Sequence, residues 1–248
     1  MQDLKNHKKW PYNHESSTSA TAKDVTSRRL NLIKALLTSS LLFSAVQLFG
    51  ATAVTAETQS NTSKKPTENL LYRESLAFIE AKDYKAAVNS LTKFLLENTS
   101  SSEGYFLRGK AFHELNVLDK ASSDYNQSIK INPESFKSHN NLGLIYGQNK
   151  KFDLAKKSFT KAISTNPQSK EAFNNRGVAK AATGDSYGAI SDFTQSIQID
   201  SQYLEPLLNR SFVYEMQGKL DKACDDWKAA SLIGSRNAKI WHKAQCKI

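Results

Sequence analysis

Apolar residues fall into two patterns along this chain. Between Ala35 and Ala56 they form an uncharged run of 22 residues, in which Leu36, Leu37, Leu41, Leu42, Phe43, Val46, Leu48 and Phe49 stand among Ser, Thr and Ala. From Glu68 onwards they recur at spacings of three and four, the period of a helix with one buried stripe. That second pattern is itself periodic. With position 1 at Glu68, Ser102, Phe136, Lys170 and Leu204, the chain to Asn237 divides without a gap into five blocks of 34 residues. Position 20 is Ala87, Ala121, Ala155, Ala189 and Ala223. With Ala at roughly one residue in ten, five matches in a fixed register are a chance of about one in 10⁵.

Other positions follow the same beat. Position 8 is small (Ser75, Gly109, Gly143, Gly177, Ser211) and position 24 is bulky (Leu91, Tyr125, Phe159, Phe193, Trp227). Position 11 is Phe78, Phe112, Tyr146 and Tyr214, with Lys180 in the fourth block. Each block therefore reads as two amphipathic helices. Small residues at positions 8 and 20 let the two approach, and a large side chain there is expected to be costly. Asn116, Gly184 and Gly218 at position 15 suit a first helix that stops in a left-handed turn. Pro133 and Pro167 at position 32 end second helices. Beyond Asn237, Ala238 to Ile248 continues the register as one more first helix, with Trp241 at position 4, and is expected to cover the last apolar face.

The pattern of a bulky residue, a small one, an aromatic, Ala, a second aromatic and Pro resembles the tetratricopeptide-repeat family. The resemblance covers about two-thirds of the chain; Lys180 departs from it, and the first block lacks the Gly and the Pro. It implies an all-α, right-handed superhelical solenoid of five helix-turn-helix repeats (68–101, 102–135, 136–169, 170–203 and 204–237) with a capping helix at 238–248. It also implies a non-catalytic protein that binds a protein or peptide along its inner face, through positions 2, 5, 6, 9, 12 and 13 of the first helices. In this chain Asn141, Asn175 and Asn209 recur at position 6, and Asn140 and Asn174 at position 5. An amide both donates and accepts, so a ladder of them suits the backbone of an extended peptide. Lys110 at position 9 and His113 at position 12 of the second repeat complete the candidate binding residues. Arg176 and Arg210, at position 7, are expected to stack within the helix pair or reach solvent. The carboxylate clamp of chaperone-binding members is not reproduced. Phe106, Lys110, Asn141, Glu171 and Asn175 occupy its places in repeats 2 to 4, and Asn140, Leu144, Asn175, Glu205 and Asn209 in repeats 3 to 5, without the clamp's cationic pair.

Charge and the first apolar run add a location. The formal net charge is +10, of which the first 34 residues, with seven basic and three acidic side chains, supply +4. The +6 that remains over residues 35–248 is a mild surplus, suited to an acidic partner or a membrane surface and giving no reason to expect nucleic acid. Residues 1–34 are polar and basic, with the composition of a disordered lead, and residues 57–67 have that of a linker. Arg28, Arg29 and Lys34 precede the run 35–56 and Glu57 follows it, a bias that sends the repeats across the membrane. Two fates fit the run. Val54-Thr55-Ala56 offers a signal-peptidase site before Glu57, and 22 residues rising about 1.5 Å each are also long enough to remain as an anchor. The pair Arg28-Arg29 bears a weak likeness to a twin-arginine signal. The expected type is thus an exported or membrane-anchored bacterial or organellar protein, its repeats in a periplasm-like or thylakoid-lumen-like compartment.

Candidate chemistry is sparse. No Gly-rich phosphate loop, HExxH, Gly-x-Ser-x-Gly or CxxC occurs. His242 and Cys246 share a helix face at i,i+4 but have no evident further partner for a nucleophile or metal site. The expectation is no catalytic residue, no metal, no cofactor and no small-molecule substrate. Cys224 and Cys246 both follow the export segment, so a disulfide between them is permitted. Two alternatives stand beside the peptide-binding scaffold or assembly factor: a self-associating structural protein, and a tethering subunit of an enzyme complex.

Overall fold

The computed structural model describes residues 66–246, and side chains from Leu70 onwards. The expectations for the lead at 1–34 and the apolar run at 35–56 lie outside these residues, as does the linker apart from Pro66 and Thr67, which open the first helix. The described residues form helices alone: α1 (Pro66–Glu80), α2 (Tyr84–Glu97), α3 (Ser102–Glu114), α4 (Leu118–Ile131), α5 (Phe136–Gln148), α6 (Phe152–Thr165), α7 (Lys170–Ala182), α8 (Ser186–Ile199), α9 (Leu204–Met216), α10 (Leu220–Leu232) and α11 (Arg236–Gln245). No helix among them is long and apolar enough to cross a membrane. Each helix packs on the next in sequence, which makes a stack of helical hairpins. Successive first helices (α3, α5, α7, α9) also touch one another, whereas successive second helices stand further apart. The first helices therefore line the inner side of the stack.

The turn inside each hairpin is built the same way five times. The residue at position 15 has positive φ in every repeat: Lys82 (57°), Asn116 (58°), Lys150 (58°), Gly184 (86°) and Gly218 (72°). The next residue's N–H reaches back to the carbonyl of position 11, as from Asp83 to Phe78 (2.8 Å) and from Lys219 to Tyr214 (2.9 Å). This is the Schellman closure of a helix C-terminus, and it forces the left-handed residue even where the side chain is lysine. Entry to the following helices is capped by Asp83, Ser101, Ser169, Asp185 and Ser235, whose side chains accept from the N–H three residues on.

Within each hairpin the expected contact is present. All five alanines at position 20 are fully buried, and so are Leu91, Tyr125, Phe159 and Phe193; Trp227 is 2% exposed. A Cβ added to Gly143 would stand 2.6 Å from the Phe159 ring, and one on Gly177 2.6 Å from the Phe193 ring. Ser75 and Ser211 fill the same position by donating their hydroxyls to the carbonyls of Tyr72 (2.6 Å) and Leu208 (2.8 Å). Lys180 fits its unusual place by ending in an ion pair with the buried Asp192, at 2.9 Å.

One feature differs from the sequence expectation. Helix α11 begins at Arg236, after a cap at Ser235, and not at Ala238. The last second helix stops at Leu232 and turns through Gly234 (φ 104°), so the fifth repeat is two residues short. Ala238, fully buried, takes the place that Gly104, Ser138, Ala172 and Pro206 hold in the earlier first helices. The shift leaves Trp241 packed on Trp227, with ring centroids 6.3 Å apart. It also brings Cys246 to Cys224, with which it forms a disulfide across a Cα separation of 5.8 Å.

Arg176 and Arg210 take the first of their two expected placements, within the helix pair. Neither ends in solvent. Arg176 holds Asp192 through two hydrogen bonds of 2.8 Å, Arg210 holds Asp226 at 3.0 and 2.7 Å, and Arg108 holds Asp124 at 2.8 Å twice. Each guanidinium also donates backwards to a threonine of the preceding repeat: Thr92 (3.4 Å), Thr160 (3.2 Å) and Thr194 (2.8 Å). The aspartates are 3–5% exposed. Repeat 3 has Leu142 and Ser158 in place of the pair. There a relay of serines spans the joint, from Ser102 to Ser128 (3.0 Å), to Ser138 (2.7 Å), to Ser135 (2.9 Å).

Two stability outcomes are expected. Gly143→Ala destabilises the fold by roughly 1–3 kcal/mol through overpacking against Phe159, read as a lower urea midpoint; an unchanged midpoint would mean that the helix pair is looser than described. Arg210→Leu strands the Asp226 carboxylate and costs about 3 kcal/mol. Arg210→Leu combined with Asp226→Ser, which copies repeat 3, costs distinctly less, and a double-mutant cycle measures the difference.

Candidate functional site: the inner face

First-helix positions that point away from the second helices meet along the inner side of the stack. The five candidate asparagines do not behave alike there. Asn175 Nδ2 donates to Asn140 Oδ1 (3.3 Å), Asn174 Nδ2 to Asn175 Oδ1 (3.4 Å), and Asn209 Nδ2 to Asn174 Oδ1 (2.9 Å). Four amides thus form one chain across α5, α7 and α9. Asn174 and Asn209 are buried, at 6% and 9% exposure, so the tightest link works inside the fold. A buried amide in low dielectric is stable only while paired, and each of these two pairs the other.

Asn141 stands outside this chain. It is half-buried on α5, and its amide makes no hydrogen bond among the described residues. One repeat earlier, on α3, Lys110 is exposed, and His113 is half-buried with its Nε2 3.2 Å from the Gln148 amide of α5. Burial holds the His113 imidazole below the ordinary histidine range, against a smaller opposing pull from Glu114. A neutral ring is the form that accepts from Gln148. Gln148 itself, at position 13, was not singled out from the sequence; nor was Lys137, whose ammonium lies 5.6 Å from the centre of the Phe106 ring and 3.9 Å from Glu103. Both occupy inner-face positions, 13 and 2, and that placement was the signal available. The inner strip therefore offers a free amide at Asn141, an exposed cation at Lys110, and the outer valences of Asn140 and Asn175. Among the described residues no group of three or more His, Cys, Asp or Glu is placed to hold a metal.

The fold is that of a tetratricopeptide-repeat-like solenoid, and part of the chain matches that family in sequence. Family models described as "TPR repeat" and "Tetratricopeptide repeat" match residues 109–150 and 136–169. Among solved structures, the chain is similar to MamA from Desulfovibrio magneticus, at 14% identity and a TM-score of 0.63 over 69% of this chain and 97% of that one. It is similar to PilF of Pseudomonas aeruginosa at 16% identity and 0.64, over 70% and 79%. A further MamA structure reaches 23% identity and 0.57, over 68% and 98%. Identities this low speak for the fold. No curated protein sequence matches the chain.

The two classes of asparagine separate experimentally. Asn209→Ala orphans the Asn174 carbonyl and lowers stability by about 1–2 kcal/mol. Asn141→Ala leaves the stability within about 0.5 kcal/mol of the parent, as for a surface change. Equal melting shifts in the two variants would show that no such division exists.

Proposed function

We propose that the protein is a non-catalytic interaction scaffold whose inner face holds an extended segment of a protein partner outside the cytoplasm. The observation that carries this is the inner strip itself: first helices in mutual contact, an amide chain that fixes their spacing, and beside it Asn141 and Lys110 with their polar groups unspent. The amide chain keeps the strip in one shape before any ligand arrives, which reduces the entropy lost on binding. A peptide backbone laid along it would pair with Asn141 and with the outer valences of Asn140 and Asn175. His113 and Lys110 would sit at one end of the strip. Bonds of this kind contribute about 0.5–1.5 kcal/mol each net, so affinity would come from several in series.

Placement outside the cytoplasm is supported by the Cys224–Cys246 disulfide, since such bonds persist in oxidising compartments. It agrees with the charge bias around residues 35–56, the segment that would export or anchor the repeats. Self-association is the second reading. It is favoured by Leu232 and Ile240, large apolar residues that are 81% and 57% exposed near the C-terminal end of the stack.

One experiment addresses the scaffold. A photo-crosslinking residue is introduced beside Asn141 in the full-length chain, in its own cells, and the captured species is identified. The expected product is a hetero-adduct whose yield drops about two- to tenfold with Asn141→Ala, at constant melting temperature. Capture of a second copy of the chain alone would favour self-association. In the same cells the two cysteines should resist alkylation until reductant is added; free thiols would rule out the extracytoplasmic placement.

A further inference from the structure

The positive charge of the repeats is concentrated in one of them. Residues 136–169 hold six lysines against the single acid Asp153, a net +5, while the other four blocks together net −3. Five of the six lie on α6 or in the turn that leads into it: Lys150, Lys151, Lys156, Lys157 and Lys161. Ala155, Phe159 and Ala162 turn to the core, so the lysines occupy the opposite, outward face of the helix. An open depression of about 710 Å³ lies there, lined by Asp153, Lys156, Lys157, Thr160, Lys161 and Ser164.

Two of these lysines already hold carboxylates. Lys161 pairs with Glu134 of the preceding repeat at 2.8 Å, and Lys156 with Asp153 at 2.9 Å. Lys157, between them in sequence, is exposed and has no ion pair among the described residues; the same is true of Lys150 and Lys151. The row is confined to one helix. The flanking second helix α8 carries no lysine or arginine, and α4 balances Lys120 and Lys130 with Asp119 and Asp124. From Lys151 to Lys161 it runs about 15 Å, the span of four or five extended residues. A bilayer surface or a nucleic-acid duplex would call for a broad positive field, whereas a single short row with carboxylates on its neighbouring lysines fits one acidic peptide segment.

We infer that the outward face of α6 is a second docking surface, which takes an acidic segment of a protein partner on Lys150, Lys151 and Lys157. It faces away from the inner strip, so both surfaces can be occupied together. The inference does not depend on the inner strip binding anything.

Fluorescein-labelled octaglutamate, titrated into the full-length chain at low salt, tests it. Binding is expected, with Kd raised at least tenfold by the combined change Lys150→Glu, Lys151→Glu and Lys157→Glu, and raised steeply by added salt. The corresponding triple change to Arg should keep it, and Asn141→Ala should leave it unaltered. These lysines are exposed, so melting should not change; if charge reversal does lower it, the triple change to Gln replaces it and the same rise in Kd is required. Octaglutamate binding that survives the triple variant, or that is absent in the parent, overturns the assignment. So does displacement of octaglutamate by phosphatidylglycerol vesicles or oligothymidylate at lower charge concentration than free octaglutamate itself needs.

Discussion

The close approach of two helices inside each repeat is the contact on which the rest of this structure depends. At Gly109, Gly143 and Gly177 the first helix presents bare backbone to an aromatic ring of the second, closer than any Cβ would allow. The fully buried alanines at position 20 permit the same from the other side. A ring held against backbone in this way loses little further freedom on stacking, and its outer surface becomes the floor for the next repeat. Because the five hairpins share this contact, they share a spacing, and the polar residues on their first helices come into line. Tyr125 shows how strongly packing governs the site: its hydroxyl is buried without a hydrogen-bond partner among the described residues, in a place where two other repeats have Phe.

Stacking the hairpins is a separate problem, and it is solved with polar groups. Arginine clamps an aspartate within its own repeat and a threonine of the one before, so that a single side chain links three helices. Such a clamp has an energetic cost in desolvation, which geometry offsets only when both carboxylate oxygens are held. Repeat 3 loses arginine and aspartate together and uses serine hydroxyls instead. That paired loss is what the physics requires, since either charged residue alone would be stranded. Nearest-neighbour joints of differing chemistry also mean that stability is distributed unevenly along the stack.

The surfaces follow from this arrangement. Inner positions are crowded, so most of the asparagine amides there pair with one another and only Asn141 is left without a hydrogen bond among the described residues. Outer positions are spaced apart, and the second helices are free to differ in charge from one repeat to the next. The lysines of α6 use that freedom.

Much of the fold was legible in the sequence because a repeat reports its own geometry. Position 8 against positions 20 and 24 and the left-handed position 15 are local relations, repeated five times and readable at fixed spacing, and prolines mark position 32 in two of the repeats. The sequence also determined the number of helical hairpins and the existence of a closing helix. It did not reveal that Asn174 and Asn209 are partners, nor that Arg176 and Arg210 are clamps. Those contacts join residues 35 or 16 apart, and whether two polar side chains meet or reach solvent depends on the distance between stacked helices. The two-residue shift of the cap was likewise hidden. Register there is set by the fit of Ala238 and Trp241 on the last hairpin and by the disulfide, which are tertiary contacts with no repeat to announce them.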